Sequence, residues 1–215
     1  MKSMAMFACG FLLGSLLIGS RGTVLAGVKV LDDTPPQPAQ PTQPAQPVQK
    51  AFSPFVIYGD DVSSVPYAPT GWMGNKGAID FNDRCTESPH SGQTCAKVEY
   101  KADADWGGIV WQNPQNDWGD KPGGFNLTGA TKITFWARGR DGGEKVEFYF
   151  GVIKSEKPFS DSDTGRIAVV LTKDWRQYTI DLTGKNLTRI KTGFGWSLAG
   201  QGKPVAFYLD DIQYE

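Results

Sequence analysis

Six residues between positions 106 and 149 are of the types that hold a sugar ring: Trp106, Trp111, Trp136, Arg138, Glu147 and Tyr149. An indole or phenol face accepts the apolar C–H side of a pyranose. Guanidinium, carboxylate and amide groups then exchange hydrogen bonds with the hydroxyls around the ring. The strings KITFWAR (132–138) and KVEFYFGVI (145–153) alternate with a period of two. In a strand that puts Ile133, Phe135, Ala137, Val146, Phe148, Phe150 and Val152 on a core face. Trp136, Arg138, Glu147 and Tyr149 then point the other way. If the two strands form a hairpin, all four share one solvent face, with Trp106 and Trp111 nearby. The bland reading of Arg138 and Glu147 is an ordinary cross-strand ion pair. Trp175 opens a strand of mixed faces and is read as a core residue.

Two acidic pairs offer a second chemistry. Asp60 and Asp61 follow the first expected strand, and Asp210 and Asp211 lie in the last. Terminal strands of a sandwich often lie side by side. Four carboxylates with backbone carbonyls would suit a structural Ca²⁺, which takes six to eight oxygens. Exposed turn acids and a bulge at a strand end are the alternative.

Support for catalysis is thin. The chain has one histidine, His90, set in a loop, so a Ser-His-Asp or Cys-His site lacks a well-placed base. No Gly-rich phosphate loop follows a strand. A carboxylate pair for glycoside hydrolysis stays open, since any two can meet in space. A polysaccharide-active jelly-roll enzyme, with Tyr149 and Arg138 as base and charge neutraliser, is the third choice.

The elements that must position these residues are strands. Expected segments are 55–58, 94–101, 109–112, 132–138, 145–153, 166–171, 175–182, 191–198 and 205–214, most of them separated by Gly, Asn, Asp or Pro. No stretch shows helical periodicity with caps. Nine or so strands predict an all-β fold, a two-sheet antiparallel β-sandwich of jelly-roll or related type.

Before these strands the composition changes twice. Lys2 is followed by an apolar run from Met4 to Gly19, and Val24-Leu25-Ala26 ends in small residues before Gly27. This reads as a signal peptide over 1–26, with a retained anchor as the alternative. The run is too short for a comfortable membrane span. Residues 27–50 form a Pro/Gln-rich linker. Its stretch DTPPQPAQPTQPAQPVQK (33–50) favours an extended polyproline conformation that reaches roughly 55 Å. Residues 51–215 are left as one β-sandwich domain. Export to the periplasm, cell surface or exterior follows. Cys9 leaves with the signal, so Cys85 and Cys95 remain and are read as a disulfide around a short loop, with a metal site that includes His90 of the same loop as the alternative. The formal net charge of −1, with no basic stripe, argues against nucleic acid and acidic lipid.

One further signal is a resemblance. Gly71-Trp72-Met73-Gly74, CTESPHSGQTCAKVEY (85–100), the stretch from Trp106 to Gly139, WRQYTIDLTGKNL (175–187), GFGW (193–196) and FYLDDIQYE (207–215) together resemble bacterial exported domains with a galactose-binding-like jelly roll. Those are similar to carbohydrate-binding modules appended to glycoside hydrolases. The resemblance implies non-catalytic binding of a polysaccharide or glycan, and a structural calcium site at Asp210 or Asp211. It departs from the family in one respect, because this chain carries no catalytic domain to be targeted. A structural or adhesion domain of the same fold, bound to an envelope or matrix protein, is the runner-up.

Overall fold

The structure, a computed structural model, describes residues 51–61 and 63–215. The signal peptide and linker expected over 1–26 and 27–50 lie outside the described residues. Eleven strands and one 3₁₀ turn, Lys76–Ala78, make up the fold. The strands are β1 (Phe55–Tyr58), β2 (Ala68–Gly74), β3 (Ile79–Cys85), β4 (Cys95–Tyr100), β5 (Trp106–Gln112), β6 (Lys132–Gly139), β7 (Lys145–Phe150), β8 (Gly165–Val170), β9 (Arg176–Asp181), β10 (Thr192–Ala199) and β11 (Val205–Tyr214). Nine of them answer the nine expected segments.

The strands form two antiparallel sheets. Sheet A has the order β3-β4-β11-β6-β9, with β1 also paired to β11; sheet B has the order β2-β5-β10-β7-β8. The architecture is the expected β-sandwich. Aromatic rings from both sheets fill the space between them. Phe135 of sheet A meets Phe148 and Phe194 of sheet B at 4.7 and 5.0 Å between centroids, and Phe207 meets Trp196 at 5.2 Å. Tilted and edge-on pairs of this kind add to the area they bury.

The period-two assignment holds within each strand. Ile133, Phe135, Ala137, Val146, Phe148 and Phe150 are all buried. Val152 falls past the end of β7, where Gly151 turns the chain with φ of +69°. The expected hairpin is corrected. β6 lies between β11 and β9 in sheet A, and β7 lies between β10 and β8 in sheet B. The connection between them crosses from one layer to the other, so their outward faces look in opposite directions. Trp136 and Arg138 cannot share a face with Glu147 and Tyr149.

Candidate functional site

The outer face of sheet B can be built row by row from its register. One row runs Gly71–Val110–Gly195–Tyr149–Arg166, and the next Met73–Gly108–Ser197–Glu147–Ala168. Beyond them Trp106 pairs with Ala199, and Lys145 pairs with Val170. Small residues therefore occupy the middle of the face. Gly108 is required there, since a Cβ would meet the Trp196 carbonyl oxygen at 2.4 Å. Large side chains stand at the ends.

The result is an open groove of about 490 Å³, lined by Trp106, Lys145, Glu147, Ala168, Val170, Ser197 and Ala199 among others. Trp106 is 50% exposed and Val170 60%, a large apolar area for a folded domain to leave in water. Glu147 pairs with Arg166 at 3.5 Å across β7 and β8. The groove offers an aromatic wall, the Glu147 carboxylate as acceptor, the Lys145 ammonium as donor and the Ser197 hydroxyl. Such a set can stack a ring and satisfy hydroxyls.

Of the six residues singled out in the sequence, Trp106 and Glu147 line this groove. Tyr149 is on the same sheet face but is buried, its ring over Gly195 and its hydroxyl donating to the Trp196 carbonyl at 2.9 Å. Burial pushes its phenol up to about 12. Trp111 points inward and is buried. It packs edge-on against Phe81, Phe194 and Tyr58 at 5.8, 5.7 and 6.4 Å. Alternation puts it beside inward Ile109 in effect, two residues along the same strand face.

Trp136 and Arg138 lie on the outer face of sheet A, and the loop of residues 86–94 crosses that face like a strap. His90 stacks on Trp136 with centroids 3.7 Å apart. Arg138 lies 3.7 Å over the Tyr208 ring and donates to the Glu87 carbonyl at 3.2 Å. Trp175, expected in the main core, is instead half-buried under the strap, where its indole N–H donates to the Ser88 carbonyl at 3.0 Å. The expected Arg138–Glu147 pair does not form, because the two stand on different sheets.

Three of the four acids hold the strap. Both oxygens of Asp60 accept the Gln93 amide at 3.0 Å, and one also accepts the Thr94 amide at 2.9 Å. Asp210 accepts the His90 and Ser91 amides at 2.9 and 3.3 Å. Asp211 meets His90 Nδ1 and Ser91 Oγ, each at 2.8 Å. A bulge in β11 explains why consecutive acids act together. Register with β6 shifts between Asp210 and Gln213, and Asp211 has φ of +47°. Burial, then the like charge of Asp211, pushes the Asp210 carboxyl up to about 6. Asp61 caps its own turn through Ser63. The expected calcium set does not fit this arrangement. N–H dipoles point at the oxygens a cation would need, and among the described residues no three His, Cys, Asp or Glu side chains gather as a metal site.

Cys85 and Cys95 are paired directly across β3 and β4 at the base of the strap. They are free thiols in the structure, both buried. Burial and the neighbouring Cys85 push the Cys95 thiol up to about 12.

Sequence reasoning missed Ser197, Ala199, Ala168, Val170, Lys145 and Arg166. Small residues carry no chemical signal on their own. The exposed alternation Arg166, Ala168, Val170 in β8 was the one available clue.

No protein-family model and no curated protein matches the chain. Solved structures match it in fold. The family 30 carbohydrate-binding module of a cellulosomal cellulase of Clostridium thermocellum superposes with a TM-score of 0.55 at 14% identity, covering 76% of this chain and 97% of that one. The family 11 carbohydrate-binding module of Clostridium thermocellum, in complex with a β-1,3-1,4-mixed-linked tetrasaccharide, gives 0.50 at 14% identity, covering 77% and 96%. The Endo-D glycoside hydrolase domain structure from Streptococcus pneumoniae R6 gives 0.50 at 14% identity, covering 67% of this chain and 21% of that one. The shared fold is the jelly-roll sandwich.

Proposed function

We propose that the domain binds carbohydrate without catalysis, and that the groove on sheet B receives a polysaccharide or glycan. The observation that carries this reading is Trp106, half exposed at the wall of a groove whose small lining residues are Ser197, Ala168 and Ala199. A sugar ring has the size and the mixed apolar and polar faces to cover it. The form of the surface favours sugar over a protein partner, because a docking patch for a protein would be flat rather than grooved. The fold's likeness to modules named for carbohydrate binding agrees with it.

The groove also argues against hydrolysis. Glycosidases use two carboxyl groups about the scissile bond. Among the described residues lining the groove Glu147 is the one carboxylate, and it is paired with Arg166. Export, with the Pro/Gln-rich segment acting as a tether, suits a module that meets large glycans outside the cytoplasm. Among the described residues no helix is long and apolar enough to cross a membrane.

A glycan array probed with the protein, followed by calorimetric titration of the glycans retained, tests the reading. Trp106→Ala should lower affinity at least tenfold, the order expected when one stacking aromatic is lost. Retention of full affinity by this variant would remove the groove as the site.

A further inference from the structure

On the opposite side of the sandwich a second cavity opens beside the strap. It measures about 330 Å³ and is lined by Ser88, Pro89, Arg138, Lys173, Asp174 and Trp175. Arg138 is under-used there. A guanidinium carries five N–H donors. Among the described residues Arg138 makes one hydrogen bond, to the Glu87 carbonyl, and no ion pair. Its Nε is buried without a partner. Glu87, whose carboxylate feels the Arg138 charge, is committed to Lys97 at 3.1 Å and Tyr208 at 2.8 Å. The guanidinium is nonetheless held in place, 3.7 Å over Tyr208 and 5.3 Å from the Trp175 ring. Lys173 is exposed and likewise makes no ion pair among the described residues, while Asp174 adds one negative charge.

We propose that this cavity binds a sugar acid of the uronic type, a single pyranose ring bearing a carboxylate. Two cations against one acid leave the cavity net positive. A planar guanidinium with free donors matches a carboxylate, and Lys173 adds a second donor. Trp175 supplies the apolar flank for the ring. Its indole N–H is already spent on Ser88, so the ring is fixed as a wall. The volume is at the low end of the range for small-ligand sites, roughly 300–1,000 Å³, which is room for one ring. A neutral sugar would leave the partly desolvated guanidinium without a counter-charge. The site stands on sheet A and is independent of the groove.

The test is a titration of the full chain at low salt with glucuronate, glucose and inorganic sulfate, followed by NMR at the Trp175 indole N–H. Glucuronate should shift that signal saturably, with glucose inert and sulfate far weaker. Arg138→Lys should weaken glucuronate binding about tenfold, as loss of a bidentate charged contact does. Lys173→Ala should weaken it a few-fold, and Trp106→Ala should leave it unchanged. Because Arg138 also packs on Tyr208, a variant at that position that fails to fold leaves exposed Lys173 to decide. An equal response to glucose, saturation by sulfate as strong as by glucuronate, indifference to Lys173→Ala, or loss of binding in Trp106→Ala would each overturn the assignment.

Discussion

His90 lies flat on Trp136, with ring centroids 3.7 Å apart and planes 16° from parallel. The contact ties the middle of the strap to the centre of sheet A. Trp136 is thereby spent on the protein's own histidine rather than on a ligand. The same loop engages Asp60, Asp210, Asp211, Arg138 and Trp175. The loop thereby covers the centre of sheet A's outer face around Trp136.

Truncating this contact should therefore cost stability and spare sugar binding. Trp136→Ala should lose about 2 kcal/mol, below the roughly 3–5 kcal/mol of a fully buried aromatic because Trp136 is half-buried. His90→Ala should lose about 1 kcal/mol, the order of one aromatic pair. Urea denaturation measures both. Glycan affinity unchanged in each variant would confirm that the strap face is separate from the groove.

The tryptophans of β5 make a sharper contrast. Trp111→Ala should destabilise by about 3–5 kcal/mol, since a wholly buried indole leaves a cavity between the sheets. Trp106→Ala, at the start of the same strand on the solvent side, should change stability by less than about 0.5 kcal/mol. Parallel melts of the two variants read this directly. A large loss in Trp106→Ala would mean the exposed indole packs against something the groove needs.

Much of the fold was legible in the sequence because alternation is a local signal. Phe135, Phe148 and Phe150 were placed inward from their neighbours alone. β2 was missed because its residues, APTGWMG, break both alternation and β-propensity with Pro and Gly. β3 was missed because IDFNDRC is mostly polar, with Ile79 and Phe81 its only large apolar residues. The site was less legible for a non-local reason. Adjacent strands in sequence were expected to pair, yet β6 and β7 belong to different layers. Trp111 shows a related limit. Its outward or inward direction depends on the register with β2 and β10, and WGGIVWQ is apolar on both faces.

The two cysteines should be oxidised in an exporting compartment. Cys85 and Cys95 are direct cross-strand partners, so a bridge would need little movement. Intact mass of protein produced in an oxidising compartment should be lighter by two hydrogens than the reduced chain. The bridge should add about 3 kcal/mol by closing a short loop in the unfolded state. In the reduced protein Cys95 should resist alkylation at pH 8, because burial holds its thiol up to about 12. Two free thiols in protein taken from its native compartment would contradict this.

Acid should weaken the fold partly through Glu215. Hydrogen bonds from Lys132, Thr134 and Gln213 lower its carboxyl from the ordinary 4.5 to about 2. A carboxyl lowered on folding contributes stability that is present above about 4.5 and lost as pH falls toward about 2. Glu215→Gln should thus be less stable than the parent at pH 6, with the gap closing by pH 2. A gap independent of pH, in melts recorded across that range, would mean the hydrogen-bond geometry rather than the charge matters.

Divalent ions should be dispensable for stability. If Asp60, Asp61, Asp210 and Asp211 held Ca²⁺, its removal would lower the melting temperature by mass action. The Asp60 and Asp210 oxygens face the amides of Gln93, Thr94, His90 and Ser91 instead, Asp211 meets His90 Nδ1 and Ser91 Oγ, and Asp61 caps its own turn. The carboxylates are satisfied by the strap, and the strap by the carboxylates, so a cation would have to displace N–H donors before it could bind. EDTA should leave the melting temperature unchanged, and added calcium should not raise it. Asp60→Ala, by contrast, should lower it modestly, because the Gln93 and Thr94 amides lose the acceptor that anchors that end of the strap. A melting temperature that falls with EDTA and recovers with calcium would show that the strap rearranges around an ion, and the amide contacts would then describe the ion-free state alone.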